Sequence, residues 1–128
     1  MSATNESAEN YLETILILSE RLPVVRSVDI ATELGFKKSS VSIAMKNLRL
    51  KNHIIVSDAG FITLTESGRA IAEEIYERHK WISSWLISLG VDEKTATEDA
   101  CKIEHVISRE SFEAIKTHIH LSSNQDID

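Results

Sequence analysis

Cysteine is nearly missing from this chain of 128 residues; the single one is Cys101. No intrachain disulfide can form, and a lone thiol fits a reducing cytoplasm. Proline occurs once, at Pro23, and glycine four times. So few breakers predict a mostly helical chain with short connections. No apolar run approaches the roughly 18 residues that cross a bilayer. Met1–Glu6 lacks a basic segment followed by an apolar stretch, so neither a membrane span nor a secretory leader is expected. There is no internal repeat and no low-complexity segment, apart from a polar tail from Ser122. Positive charge is also scarce overall. The net charge of −6 argues at first against a polyanionic partner, but its distribution reverses that impression. From Gly35 to Asn52 stand five bases (Lys37, Lys38, Lys46, Arg49, Lys51) and no acid. From Asp92 to Asp128 stand nine acids and four bases. One region suits a polyanion; the other offers carboxylates to a cation.

Apolar spacing predicts a first helix from about Ser7 to Arg21, with Ser7 as N-cap and Tyr11, Leu12, Ile15 and Leu16 on one face. Pro23 ends it. After extended Val24-Val25-Arg26, Ser27 caps a second helix that buries Ile30, Ala31 and Leu34 and stops at Gly35. Lys38-Ser39-Ser40 opens a third helix, with Val41, Ala44, Met45 and Leu48 inward. His53–Val56 and Phe61–Leu64 read as a hairpin around the turn residues Ser57–Gly60. A long helix follows Thr65–Gly68 to about Leu89, with the stripe Ile71, Ile75, Ile82, Leu86 and Leu89. Another starts at Asp92 or Thr95 and runs to about Ile107. Ser108 caps a last one carrying Phe112, Ile115 and Ile119.

The order helix, helix, tight turn, helix, hairpin is the winged helix-turn-helix plan. Its second motif helix must enter a major groove about 12 Å wide, so its outer face needs short polar and basic residues. Lys37, Lys38, Ser39, Ser40, Ser42 and Lys46 supply them. Lysines reach phosphates, while serines permit close approach. The plainer alternative is a solvated helix face; the turn, the hairpin and the absence of acids weigh against it. The wing tip Asp58-Ala59-Gly60 carries no base, so little wing affinity is expected.

Cys101, Glu104 and His105 stand at i, i+3 and i+4 of one expected helix. Thiolate, carboxylate and imidazole are three metal-ligand types gathered in one turn. His79 falls within the apolar stripe, between Ile75 and Ile82, and should face the core. Singly, each has a bland reading: a satisfied core histidine, a small buried thiol, a solvated Glu-His pair. Their combination points to a site.

Several stretches together resemble the iron- and manganese-dependent repressors related to the diphtheria toxin repressor and the manganese transport regulator. They are Glu9–Ile15, Lys38-Ser39-Ser40-Val41-Ser42, Leu64-Thr65-Glu66-Ser67-Gly68, Arg78-His79 and Ala100–Ser108, in family order over about residues 9–119. The last is highly specific. The resemblance implies a mostly α fold: a winged helix-turn-helix over residues 1–66, then a helical metal-binding and dimerisation domain over 67–128. Cys101, Glu104 and His105 match the family's principal ligands. Asn10 stands where the family has methionine or aspartate. Glu13 and His79 match a second ligand set of the manganese regulators. Ser83 and Thr97 replace the ligands of another ancillary site, which is therefore not expected, nor is the SH3-like third domain of the longer members.

The implied partners are double-stranded operator DNA and a second copy of the chain, with no membrane and no organic cofactor. A divalent cation would tie the first helix to the dimerisation helices and fix the two recognition helices about one DNA turn apart, roughly 34–36 Å, or a multiple of it. The thiolate favours Fe(II), Co(II) or Zn(II) over Mn(II), while carboxylate and amide oxygens favour Mn(II); Fe(II) is the expected ion, with Mn(II) next. The rival readings are a metal-independent winged-helix regulator and a dimeric interaction module using Trp81 and Trp85. An enzyme is not expected, since there is no glycine-rich phosphate loop or nucleophile elbow.

Overall fold

A computed structural model of the chain describes residues 6–126. The readings that fall on Met1–Asn5 and on the last two residues lie outside the described residues. No helix among them is long and apolar enough to cross a membrane. In chain order the elements are α1 (Glu6–Arg21), α2 (Ser27–Leu34), α3 (Lys38–Leu50), β1 (Ile54–Val56), β2 (Ile62–Leu64), α4 (Glu66–Ser88), α5 (Glu93–Ile103) and α6 (Arg109–Asp126). They fall into two compact units parted between Glu74 and Ile75.

In the first unit, helical periodicity selects the core. Leu12, Ile15 and Leu16 of α1, Ile30 and Ala31 of α2, and Val41, Met45 and Leu48 of α3 are buried with Ile54 and Ile62 of the hairpin. The strands pair antiparallel, Ile54 opposite Leu64 and Val56 opposite Ile62. The extended stretch before α2 joins them through Ile62 N–H donating to the Val25 carbonyl at 2.8 Å. Ser7 lies inside α1, which starts one residue earlier. Ser27 is helical too. The cap is Arg26, whose N–H donates to the Asp29 carboxylate at 2.9 Å. The turn at Gly35 is as expected, with φ at 68°. Leu34 is only half-buried.

α3 ends in a Schellman turn. His53 N–H donates to the Leu48 carbonyl and Asn52 N–H to the Arg49 carbonyl, both at 3.0 Å. Asn52 takes the left-handed conformation, φ 63°, which asparagine tolerates better than most residues. The start of α4 is fastened to this turn. Thr65 Oγ1 donates to the Asn52 carbonyl at 2.7 Å and accepts the Gly68 N–H at 3.2 Å, serving as the helix N-cap. Ser67 Oγ lies 3.0 Å from His53 Nδ1. Gly68 packs so closely on the His53 backbone that an added Cβ would sit 1.9 Å from its carbonyl oxygen.

The second unit holds the rest of α4 with α5 and α6. Ile82, Ala100 and Phe112 form its buried centre, with Trp81, Leu86, Ile103 and Ile107 packed against them. Leu89 is exposed, because α4 stops at Ser88 and the chain turns through Gly90. Asp92 caps α5, accepting the Lys94 N–H at 3.1 Å. Ser108 Oγ caps α6, accepting the Ser111 N–H at 3.0 Å. The backbone of α6 continues through Asp126, so the polar stretch from Ser122 is helical up to that point. Lys116 bonds Glu77. That hydrogen bond, opposed in part by desolvation, holds the Lys116 pKa above its ordinary 10.5. A raised lysine favours the fold below its unfolded pKa and loses that effect as pH climbs through the folded value, so the lysine's contribution is lost in alkali.

Candidate metal centre and nucleic-acid interface

α5 closes at Ile103, earlier than its apolar spacing implies. Glu104 is the C-cap, still right-handed, its N–H donating to the Ala100 carbonyl at 2.9 Å. His105 lies in the turn that follows. The expectation of three ligands on one helix is corrected: Cys101 is helical, while Glu104 and His105 stand just past the helix end. The cause comes from α4. Arg78, buried to 8% exposure, donates through Nη1 to the carbonyls of Glu104 at 3.1 Å and Ile107 at 2.9 Å. Its guanidinium also lies over the Phe112 ring, 5.6 Å from the centroid. The Glu104 carbonyl is among those a helix terminus leaves without intrahelical donors, the Ile107 carbonyl lies past it, and the arginine holds both in a turn. Sequence reasoning quoted Arg78 but gave it no role. The signal was its spacing, since Ile75, Arg78 and Ile82 share one helix face.

The turn brings the donors together. The ligand atoms of Cys101, Glu104 and His105 all lie within 4.8 Å of one another. Donors about 2.0–2.3 Å from one ion stand up to roughly 4.6 Å apart, so this spacing is close to what a shared cation needs. Glu104 is fully buried. Its Oε2 is hydrogen-bonded to His79 Nδ1 at 2.9 Å. Its Oε1 is buried and has no hydrogen bond, with His105 Nε2 at 3.4 Å. A carboxylate oxygen withdrawn from water without a donor is unfavourable by about 1–3 kcal/mol or more. A cation would satisfy it, and the donor set of thiolate, carboxylate and imidazole fits a divalent transition metal.

His79 faces partly inward, with its side chain 23% exposed. Cys101 is exposed, unlike the buried thiol of the bland reading. Asn10 and Glu13 lie on α1 in the first unit, Asn10 half-buried and Glu13 buried. The Asn10 carbonyl accepts the Thr14 hydroxyl at 2.8 Å.

On α3 the expected DNA-facing residues share the exposed surface. Lys37 is the N-cap, and Lys38, Ser39, Ser40, Ser42 and Lys46 are all exposed, opposite buried Val41, Met45 and Leu48. No acid occupies the first turn and no side chain caps it. The positive end of the helix therefore stands open beside two lysines, as phosphate contact requires. The Asp58-Ala59 tip of the hairpin is exposed and carries no base.

A winged helix-turn-helix followed by a helical unit with clustered metal donors defines a class: metal-dependent transcriptional regulators. Comparison with known proteins narrows it. Residues 3–58 match the family described as "Iron dependent repressor, N-terminal DNA binding domain", and residues 65–122 match "Iron dependent repressor, metal binding and dimerisation domain". An uncharacterized HTH-type transcriptional regulator of Methanocaldococcus jannaschii is 39% identical over 88% of this chain and 91% of its own length. The transcriptional regulator MntR of Escherichia coli O6:H1 is 32% identical over 87% of this chain and 72% of its own. The solved structure of the manganese regulator SloR superposes with a TM-score of 0.79 at 26% identity, covering 93% of this chain and 55% of that one. The chain thus spans about half the length of that solved protein. It belongs to the family of iron- and manganese-dependent transcriptional repressors.

Proposed function

We propose that this chain represses transcription by binding operator DNA as a homodimer when divalent metal is held by Cys101, Glu104 and His105, with His79 a donor of the second ligand set. Residues 1–66 read DNA and residues 67–128 bind metal and dimerise. The observation that carries this reading is the buried Oε1 of Glu104, which has no hydrogen bond while thiol and imidazole donors stand around it. A bound cation would supply the positive charge that the carboxylate lacks. The protein's own parts do the rest. Arg78 holds the 104–107 turn, and His79 orients the Glu104 carboxylate. α3 presents its basic face to the duplex. Asn10 and Glu13 belong to the proposal as further donors, as the family resemblance implies. Asn10→Ala and Glu13→Gln are expected to weaken metal-dependent DNA binding.

Fe(II) is the favoured ion, because Cys101 offers a thiolate. Mn(II) is next, and the names of relatives such as the manganese regulator SloR support it. Anaerobic DNA-binding titrations with Fe(II), Mn(II) and Zn(II), with elemental analysis of the protein, test the proposal. DNA affinity that does not respond to any of the three would refute it. On the DNA side, Lys38→Ala is expected to weaken binding evenly across duplex sequences. It should lower the slope of log affinity against log salt by about one, as loss of a single phosphate contact does.

A further inference from the structure

We infer that Ile43 reads a base in the major groove by apolar contact with the C5 methyl of a thymine. The inference rests on the proposal that α3 enters the groove. Ser39, Ile43, Lys46 and Leu50 stand at i, i+4, i+7 and i+11 and run along the outer line of α3. Val41, Met45 and Leu48 occupy the buried side. Ile43 is 64% exposed in the first half of the helix. An isoleucine there adds nothing to the core, and its β-branch makes it a weaker helix former than lysine or glutamine. Isolated exposed apolar residues are ordinary on protein surfaces. This one stands among Ser39, Ser42 and Lys46, on the face whose charge suits a polyanion.

The partner is narrowed by the chemistry of the groove floor. Bases present hydrogen-bond donors and acceptors there, and the one hydrocarbon group is the thymine methyl. An isoleucine cannot hydrogen-bond to the other edges, and seated on them it would leave them desolvated without a partner. Base edges are reached from the N-terminal part of a recognition helix. Ile43 lies one turn beyond Ser39 in that part, whereas Leu50, equally exposed, is the last residue of α3.

The test uses the full chain with saturating Fe(II) or Mn(II) in parallel to select duplexes from a random-sequence pool. Each thymine of the enriched sequence is then replaced by deoxyuridine, which lacks the methyl. At one thymine per half-site, the replacement is expected to weaken the wild type about fourfold, the equivalent of one carbon group returned to water. The same replacement should leave Ile43→Ala unaffected, while Ile43→Val stays sensitive. Equal losses in wild type and Ile43→Ala, or a selected site without a sensitive thymine, overturn the inference and leave the DNA-binding reading intact. Failure to enrich any sequence overturns both. Circular dichroism checks that the variants fold. Should Ile43→Ala not fold, Ile43→Gln takes its place in the same comparison.

Discussion

Replacing Glu104 by glutamine is expected to remove the metal response of DNA binding while leaving the protein folded. Glutamine keeps the shape of the side chain and can still accept a hydrogen bond from His79, but it gives up the negative charge at the centre of the donor cluster. Loss of groups that merely support a ligand lowers metal affinity about 10–100-fold. Loss of the charged central donor should therefore exceed roughly 100-fold. Without metal the sign reverses. A buried carboxylate with one oxygen lacking a donor is a burden on the metal-free fold. Metal-free Glu104→Gln should unfold at a denaturant concentration no lower than metal-free wild type. His105→Ala should match it in lost metal response. Fluorescence anisotropy of labelled operator, with and without metal, reads the first effect, and denaturant titration reads the second. An undiminished metal response in both variants would dismiss Cys101, Glu104 and His105 as the site.

Gly68→Ala is expected to be the most damaging single-methyl change in the first unit. The new Cβ would lie 1.9 Å from the His53 carbonyl oxygen and 2.9 Å from its carbon, both backbone atoms that cannot swing aside. Overpacking of this kind typically destabilises by about 1–3 kcal/mol, and a clash with backbone belongs at the upper end. For a unit of this size the unfolding temperature should fall by about 15 °C. Gly35→Ala is the control. Its Cβ would meet open space, and only the left-handed φ of 68° opposes it, so about 1–2 kcal/mol is expected. Thermal unfolding of the two variants separates the cases. Equal midpoints would show that α4 can move away from the turn at His53.

The winged helix-turn-helix was readable because its period changes along the chain. Val41, Met45 and Leu48 follow helical spacing, and the buried Ile54 and Ile62 lie on short strands flanking turn residues. What periodicity could not show was competition from side-chain and turn hydrogen bonds at the ends of the elements. The second helix takes its cap from Asp29 acting on Arg26. Each strand starts one residue later than its spacing implies. His53 N–H goes to the Leu48 carbonyl, and Phe61 N–H goes to the Ser57 hydroxyl at 3.0 Å. The same holds at the candidate metal centre. The residues Cys101, Glu104 and His105 were visible as a cluster, but their backbone was not. The spacing i, i+3, i+4 describes a continuing helix, but an arginine from α4 bonds the carbonyls of Glu104 at the helix end and Ile107 beyond it. A sequence pattern records which donors are close in the chain. It does not record which buried cation, 26 residues away, bends the chain between them.

The hydrogen bond that joins His79 of α4 to Glu104 beyond α5 has a consequence for the proposed metal response. His79 meets Glu104 only once the second unit has formed, so the unfolded chain offers an ion an incomplete donor set. Mass action then links ion supply to structural integrity. At a hundred times the dissociation constant, occupancy deepens the native basin by about 2.7 kcal/mol. Starvation for the metal would withdraw that reinforcement, leaving a molecule that is both silent and more easily degraded.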